Sequence, residues 1–334
     1  MNLVTGGTGL VGAHLLLHLL QNGEKVKALF RTENSILKTE KLFHQFNQND
    51  LFHQIEWVEG DVNNIPSLEI AFENIDTVYH CAALISFDSK DEARLRKVNI
   101  EGTANMVNLA LAFGVNSFCY VSSIAALGDL GEHETIITED TEWNPEKPHS
   151  DYALSKYGAE MEIWRAQQEG LNCVIVNPGV ILGSGFWENG SGEIFTKIAK
   201  GLPFYTKGST GFVAVEDVVK IMYALQKEKN NSERFTIISE NIDFQTISFA
   251  IADGLKVKRP FFYAKPFFTA LYWRLDWIFA HFFFQPRRFS RATAKSLHSK
   301  DIYSNQKIKD KLNYSFLPIK EYCMTISSFY SKND

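Results

Sequence analysis

Apolar and polar positions divide this chain into a regular first half and a less regular second half. Met1 to Thr5 is a short apolar run with strand character, and Ala13 to Leu20 is an apolar helix. Lys25 to Phe30, Ile55 to Glu59, Thr77 to His80, Phe118 to Ser122 and Cys173 to Asn177 read as five more strands, the last closed by Pro178. Helical patterns lie between them. Glu92 to Phe113 ends at Gly114, and Ser150 to Glu169 stops at Gly170. Apolar strands alternating with helices predict a parallel, doubly wound α/β sheet covered on both faces. Past Pro178 the pattern loosens. Gly183 to Gly192 is a glycine-rich loop, and Gly192 to Lys200 a short helix. Glu216 to Lys227 is a helix, and Arg234 to Ser239 a strand able to rejoin the sheet.

Composition adds bounds. At 334 residues, 45% hydrophobic and 22% charged, the chain has the make-up of a soluble α/β protein with one large domain or one plus a smaller lobe. Its four cysteines are far apart and show no Cys-x-x-Cys, so neither a metal site nor a disulfide framework is expected. That usage, and an apolar N-terminal run with no basic segment before it, lead us to expect a cytoplasmic protein. Charge is uneven: Lys256 to Asp334 carries 15 Lys and Arg against 5 Asp and Glu, although the whole chain has a net charge of −5. No nucleic-acid motif accompanies the basic third, so nucleic acid is not an expected partner.

The chemistry-bearing residues cluster where the strands end. Gly6, Gly9 and Gly12 are spaced three apart, between the first strand and the first helix. Gly6 suits a tight turn, Gly9 close approach of backbone to a pyrophosphate, and Gly12 close packing of helix on strand. The helix N-terminus would offer the phosphates free N–H groups and the positive end of its dipole. Later, Tyr152 and Lys156 are four apart and share one helix face. A phenol titrates near pH ~10, and a neighbouring cation lowers that value towards a useful range.

Together these pieces resemble the extended branch of the short-chain dehydrogenase/reductase superfamily, the NAD-dependent epimerase/dehydratase family. Thr5 to Gly12, Gly60-Asp61-Val62, His80 to Ala83, Val98 to Thr103, Tyr120 to Ser123, Tyr152-x-x-x-Lys156, Asn177-Pro178 and Phe212 to Asp217 carry the likeness, which fades beyond about Asp243. In motifs the chain is most similar to dihydroflavonol-reductase-like and 3β-hydroxysteroid-dehydrogenase-like members. The resemblance implies a Rossmann fold with a smaller, mostly helical C-terminal substrate lobe. The dinucleotide domain would take residues 1–179 and 212–242, and the lobe, interleaved with it, residues 180–211 and 243–334. It implies cofactor contacts from Gly6, Thr8, Gly9, Leu10, Val11, Gly12, Asp61, Val62, Ala82, Ala83, Tyr152, Lys156, Pro178 and Val180. Asp61 would reach the adenine amino group; it equally suits a helix N-cap.

By the same resemblance Ser123 hydrogen-bonds the substrate oxygen, with Ser122 structural, and Tyr152 transfers a proton to or from it. Lys156 holds the nicotinamide ribose and keeps the tyrosine pKa low. Asn99 matches the asparagine that links the lysine to solvent through a water, and equally suits a helix kink or cap. His80 reads as a strand-end histidine satisfied by backbone. The second strand ends in Phe30, where NAD-using relatives carry Asp, and Arg31 follows with Lys38 beyond. That placement is similar to NADP-using members, so NADP is the expected cofactor, with NAD the alternative.

The leading functional reading is an NADP-dependent oxidoreductase of a carbonyl or secondary alcohol on a hydrophobic molecule. A nucleotide-sugar epimerase or dehydratase is the runner-up. Sugar-nucleotide relatives place a diphosphate-clamping arginine five residues before Val215, and here that position is Thr210, with Arg287, Arg288 and Arg291 as substitutes. A non-catalytic NADP sensor is the alternative of another class. A homodimer and peripheral membrane contact through 261–295 remain open as partners. Thirteen aromatic residues fall between Phe261 and Phe289. In one reading Phe267, Leu271, Trp273, Trp277 and Phe284 line or cover an apolar substrate pocket; this is favoured, because aromatic stripes at helical spacing are usually core. In the other the segment lies in a membrane interface, with Arg287, Arg288, Arg291 and Lys295 on anionic headgroups.

Overall fold

The computed structural model describes residues 1–228, 232–282 and 291–330. Phe284, Arg287 and Arg288 lie outside the described residues, as does the side chain of Trp277. The first half runs β1 (Asn2–Thr5), α1 (Leu10–Gln21), β2 (Val26–Phe30), α2 (Glu33–Gln45), α3 (Asn49–Phe52), β3 (Glu56–Glu59), α4 (Ile65–Phe72) and β4 (Thr77–His80). Then come α5 (Glu92–Leu95), α6 (Gly102–Ala112), β5 (Ser117–Val121), α7 (Asp151–Gln168) and β6 (Cys173–Pro178). The second half runs β7 (Val180–Leu182), α8 (Glu193–Ala199), β8 (Phe204–Tyr205), β9 (Ser209–Ala214), α9 (Val215–Lys227), β10 (Glu233–Ile237), β11 (Glu240–Asp243) and α10 (Phe244–Leu255). It closes with β12 (Phe262–Tyr263), α11 (Pro266–Phe282), α12 (Arg291–Ser296), α13 (Gln306–Leu312) and α14 (Ile319–Tyr330).

Seven strands form one parallel sheet in the order β10-β6-β5-β4-β1-β2-β3. This is a Rossmann fold. Successive residues point to opposite faces, so Leu3 enters one core and Val4 the other. On one face Leu15 and Leu16 of α1 and Val218 and Met222 of α9 pack on Val4, Val174 and Val176. On the other, α4, α6 and α7 contribute Phe72, Met106 and Ile163 against Leu3, Phe118 and Ile175. The central strands β1, β5 and β6 are buried along nearly all their length, which is why they read as apolar runs.

The order reverses between β1 and β4. The crevice at that switch point, outside the carboxyl ends of the strands, is where such sheets bind ligands. Beyond β6 the chain builds a third core from Phe195, Phe212, Ile251, Ile319 and Ile326. The lobe there is helical as expected, and it also carries two small sheets, β11-β9-β7 and β12-β8.

Two elements differ from their sequence pattern. The helix expected over Glu92–Phe113 is broken by a π-helical turn at Arg96–Glu101, between α5 and α6. Asn99 is buried within that turn and binds the backbone of another segment. The second difference is the aromatic segment. Phe267 is 71% exposed, and Leu271 also faces solvent, so these two do not wall a pocket. The helix seats itself through Thr269, whose hydroxyl is 2.8 Å from His298 Nε2. With the narrow face of α11 taken by that contact, its aromatic face is left outward.

Candidate functional site

The glycine loop leaves β1 at Gly6, whose φ of +69° is left-handed backbone that favours glycine. A Cβ on Gly6 would come within 2.8 Å of Ala82 N, so the loop rests on the segment after β4. A Cβ on Gly12 would sit 2.1 Å from the Gly6 carbonyl oxygen; only glycine allows the first turn of α1 to pack there. Gly9 is different. A Cβ there would meet only the Gly6 carbonyl, at 3.4 Å, so packing within the chain leaves that position open on its outer side. Gly9 caps α1, no side chain caps it, and the first turn holds no acid. Thr8, Leu10 and Val11 complete an uncapped, acid-free helix N-terminus, which fits a dinucleotide pyrophosphate.

Several of the flanking residues follow the carboxyl ends of the strands. Asp61 follows β3 and its Oδ1 accepts from Asn63 N at 2.8 Å. It does not cap α4; Asn64 does. Val62 is buried behind it. Ala82 N–H donates to Thr5 Oγ1 at 3.1 Å, Ala83 is exposed, and Pro178 and Val180 stand at the junction of β6 and β7. Arg31 is exposed at the end of β2. Lys38 on α2 is turned to Glu188, 3.6 Å away on the glycine-rich loop, so the structure does not pair it with Arg31.

Tyr152, Lys156 and Ser123 are brought together at the carboxyl end of β5. The Tyr152 phenol lies beside the Ser123 hydroxyl, and Ser123 Oγ accepts from Ala125 N–H at 3.1 Å. Burial pushes the phenol up to about 12, with Ser123 drawing it back only in part. This differs from the expectation that Lys156 holds it low. Lys156 Nζ instead donates to the Val121 carbonyl at 2.7 Å and lies 4.4 Å over the Tyr120 ring. Burial lowers Lys156 to about 7, against the pull of Glu160 and Cys81. The ring of Phe87 meets that of Tyr152 edge-on at 5.7 Å.

Asn99 does not reach this group directly. Its Oδ1 accepts from Leu84 N at 2.8 Å, and its Nδ2 donates to Leu84 O and Ser155 Oγ, each at 2.9 Å. The amide ties the loop after β4 to α7, and the kink reading accounts for it. His80 is satisfied by side chains rather than backbone: Nδ1 is 2.7 Å from Thr5 Oγ1 and Nε2 3.0 Å from Thr103 Oγ1. Thr103 donates onward to Asn99 O, so its oxygen receives the Nε2 proton. Burial depresses His80 to about 3, and the ring stays neutral.

The NAD dependent epimerase/dehydratase family matches this chain over residues 2–239. The chain belongs to that family. It is an NAD(P)-dependent oxidoreductase of the extended short-chain dehydrogenase/reductase type. A putative dihydroflavonol 4-reductase from Synechocystis is 33% identical over 252 residues, covering 73% of this chain and 69% of the relative. Sterol demethylase protein B of Methylococcus capsulatus is 29% identical over 246 residues, or 72% and 70% of the two chains. The crystal structure of UDP-glucose 4-epimerase from Thermotoga maritima, solved with UDP-glucose, superposes with a TM-score of 0.78 at 21% identity, covering 99% of each chain, and shows the shared fold.

Sequence reasoning missed a buried polar network behind the family motif. Glu160, one turn beyond Lys156, is fully buried. Its carboxylate accepts from Asn177 Nδ2 at 2.6 Å and pairs with Arg234 at 3.2 Å. Burial raises its pKa, and contacts with Ser122, Arg234 and Asn177 oppose that. Arg234 Nε donates to the Glu139 carbonyl at 2.8 Å, and the Glu139 carboxylate accepts from Thr236 N at 2.6 Å. Ser122 thus lies on the Glu160 side, its buried Oγ without a hydrogen-bond partner among the described residues, and Ser123 on the Tyr152 side. An acid at the i+4 position from Lys156, on a face that should be apolar, was the available signal.

Proposed function

We propose that the chain is an NADP-dependent oxidoreductase moving a hydride between the nicotinamide and a carbonyl or secondary alcohol of a hydrophobic small molecule. The observation that carries this is the Tyr152 phenol, beside Ser123 at the sheet's carboxyl edge with the Phe87 ring against it. The cofactor would lie on the dinucleotide part (1–179 and 212–242), and the substrate under the part formed by 180–211 and 243–334. Gly6, Thr8, Gly9, Leu10, Val11 and Gly12 would hold the pyrophosphate, Asp61 and Val62 the adenine, and Ala82, Ala83, Pro178 and Val180 the nicotinamide side. Arg31 and Lys38 would meet the 2′-phosphate, for which Lys38 must leave Glu188.

Bound NADPH supplies the hydride. The chain's own part is proton transfer and orientation. With its pKa near 12 the phenol is protonated at neutral pH and stands as a donor to a carbonyl oxygen, while Ser123 orients that oxygen. Lys156 would hold the nicotinamide ribose. Asn99 we assign to positioning, because its amide locks Leu84 to α7.

A hydrophobic substrate is supported on three grounds. Phe87 is exposed, and its ring lies against Tyr152. A cavity of 240 Å³ that includes Val180 is lined mainly by apolar side chains such as Leu182, Phe212 and Phe244, and its Lys197 is paired with Glu193; mostly apolar walls disfavour a diphosphate. One relative is named for a sterol, a lipophilic ring system. Thr210, where the sugar-nucleotide clamp would be, lies beside the Tyr303 phenol.

The test is a parallel screen of lipophilic ketones and aldehydes against nucleotide sugars, with NADPH and NADH. Net oxidation of NADPH by a lipophilic carbonyl is expected. Conversion of a nucleotide sugar with no net cofactor change would establish the epimerase instead. Tight cofactor binding with no turnover across the panel would point to the sensor.

A further inference from the structure

We propose that α11, with strands β8 and β12, is a docking surface for an anionic lipid bilayer. Phe267, Phe268, Leu271 and Tyr272 occupy one side of α11, and all are exposed. Phe261 and Phe262 continue the apolar surface just before the helix; Phe262 is 57% exposed and its ring packs on that of Phe204, 6.1 Å away. Single exposed apolar residues are ordinary, but a cluster of aromatics on adjoining elements is not. The inward side of α11 is occupied by Thr269 and its contact with His298.

Charge decides the occupant. Residues 256–276 carry five Lys and Arg and one acid, Asp276. Lys258 Nζ lies 4.4 Å from the Phe261 ring centroid and the Arg274 guanidinium 4.7 Å from that of Trp273, so cations sit among the rings. Among the described residues Arg259 pairs with Asp253, at 2.6 Å. A second copy of this chain docking by the same face would bring two basic rims together, which like-charge repulsion opposes. A bilayer with anionic headgroups satisfies both halves. Aromatic rings enter the boundary between headgroup and acyl chain, and Lys and Arg reach the phosphates. No described helix is long and apolar enough to cross a membrane, so the contact lies in the interface. The proposal does not rest on the redox reading, since lipid binding is measured without turnover.

Flotation with vesicles of phosphatidylcholine, alone or mixed with phosphatidylglycerol, tests it. The full chain should float with the anionic vesicles, and less so as salt rises. Lys258→Ala with Lys265→Ala should weaken partitioning roughly fivefold per cation removed. Phe267→Ser with Phe268→Ser, and separately Phe261→Ser with Phe262→Ser, should abolish flotation at every salt concentration. Unchanged circular dichroism would show these variants folded; as a second handle, Leu271→Gln should weaken flotation without removing it. Flotation indifferent to the Phe variants, none with either vesicle, or a dimer in size-exclusion chromatography that those variants dissolve would each overturn the proposal.

Discussion

Helices α7 and α11 invert each other. On α7, Lys156 and Glu160 are buried; on α11, Phe267, Phe268 and Tyr272 face solvent. Partners explain both. A charge leaves water only when fixed groups replace its hydration. Lys156 has the Val121 carbonyl, and Glu160 has Asn177 and Arg234. A phenylalanine leaves water only when a surface comes to meet it, and on α11 Phe267 and Phe268 keep more than half their surface in water. In the proposed reading, buried polar groups on α7 hold the chemistry, and exposed rings on α11 await a partner.

Substitutions sharpen the contrast, beginning with the largest effect. Glu160→Ala removes the buried carboxylate that Arg234 and the Asn177 amide share within the core. Urea unfolding should show a loss of about 3–5 kcal/mol; a loss below ~1 kcal/mol would mean the network is solvated and the contrast with α11 is shallow. Tyr152→Phe keeps the ring and removes the proton. Turnover of a confirmed carbonyl substrate should fall at least about 10²-fold with cofactor affinity nearly unchanged. Wild-type turnover in this variant would rule out the assigned donor.

A pH experiment probes the buried lysine. Its folded pKa is near 7, against 10.5 for an ordinary lysine. Between those values the unfolded chain binds a proton that the folded chain does not, so this group's contribution to stability rises with pH across that window and is least below 7. Cofactor-free wild type should therefore gain stability relative to Lys156→Met as pH rises from 7, by at most one proton's slope, about 1.4 kcal/mol per pH unit. Parallel curves for the two proteins would contradict it. Smaller again is Arg31→Ala, which should weaken NADPH binding about tenfold and leave NADH unaffected in calorimetric titration. Equal affinities of the wild type for both nucleotides would remove the basis for NADP. Smallest is Phe267→Ser, which should shift unfolding free energy by no more than about 0.5 kcal/mol. A loss of several kcal/mol would show that Phe267 packs against the chain in solution.

Much of the site could be read from residues close in sequence. Gly6, Gly9 and Gly12 act within one turn, and Tyr152 and Lys156 within one helix face, so local spacing carries them. Glu139, Glu160 and Arg234 meet across 74 and 95 residues of separation, and no local pattern announces that. His80 was legible as a strand end, but its partners Thr5 and Thr103 come from a neighbouring strand and a helix. The π turn escaped notice because apolar periodicity hardly changes when one extra residue is wound into a helix.

By itself the sequence determined the alternation of strands and helices, the Rossmann class and the glycine loop, because each depends on local backbone preferences and on which side of an element is apolar. It also placed Tyr152 one helical turn from Lys156. Tertiary structure alone decided where the Lys156 ammonium points, which serine faces the phenol and which faces Glu160, and that the rings of α11 stay outside. Those outcomes turn on which distant groups arrive to replace water, and desolvation is a property of the assembled fold, not of any stretch of chain.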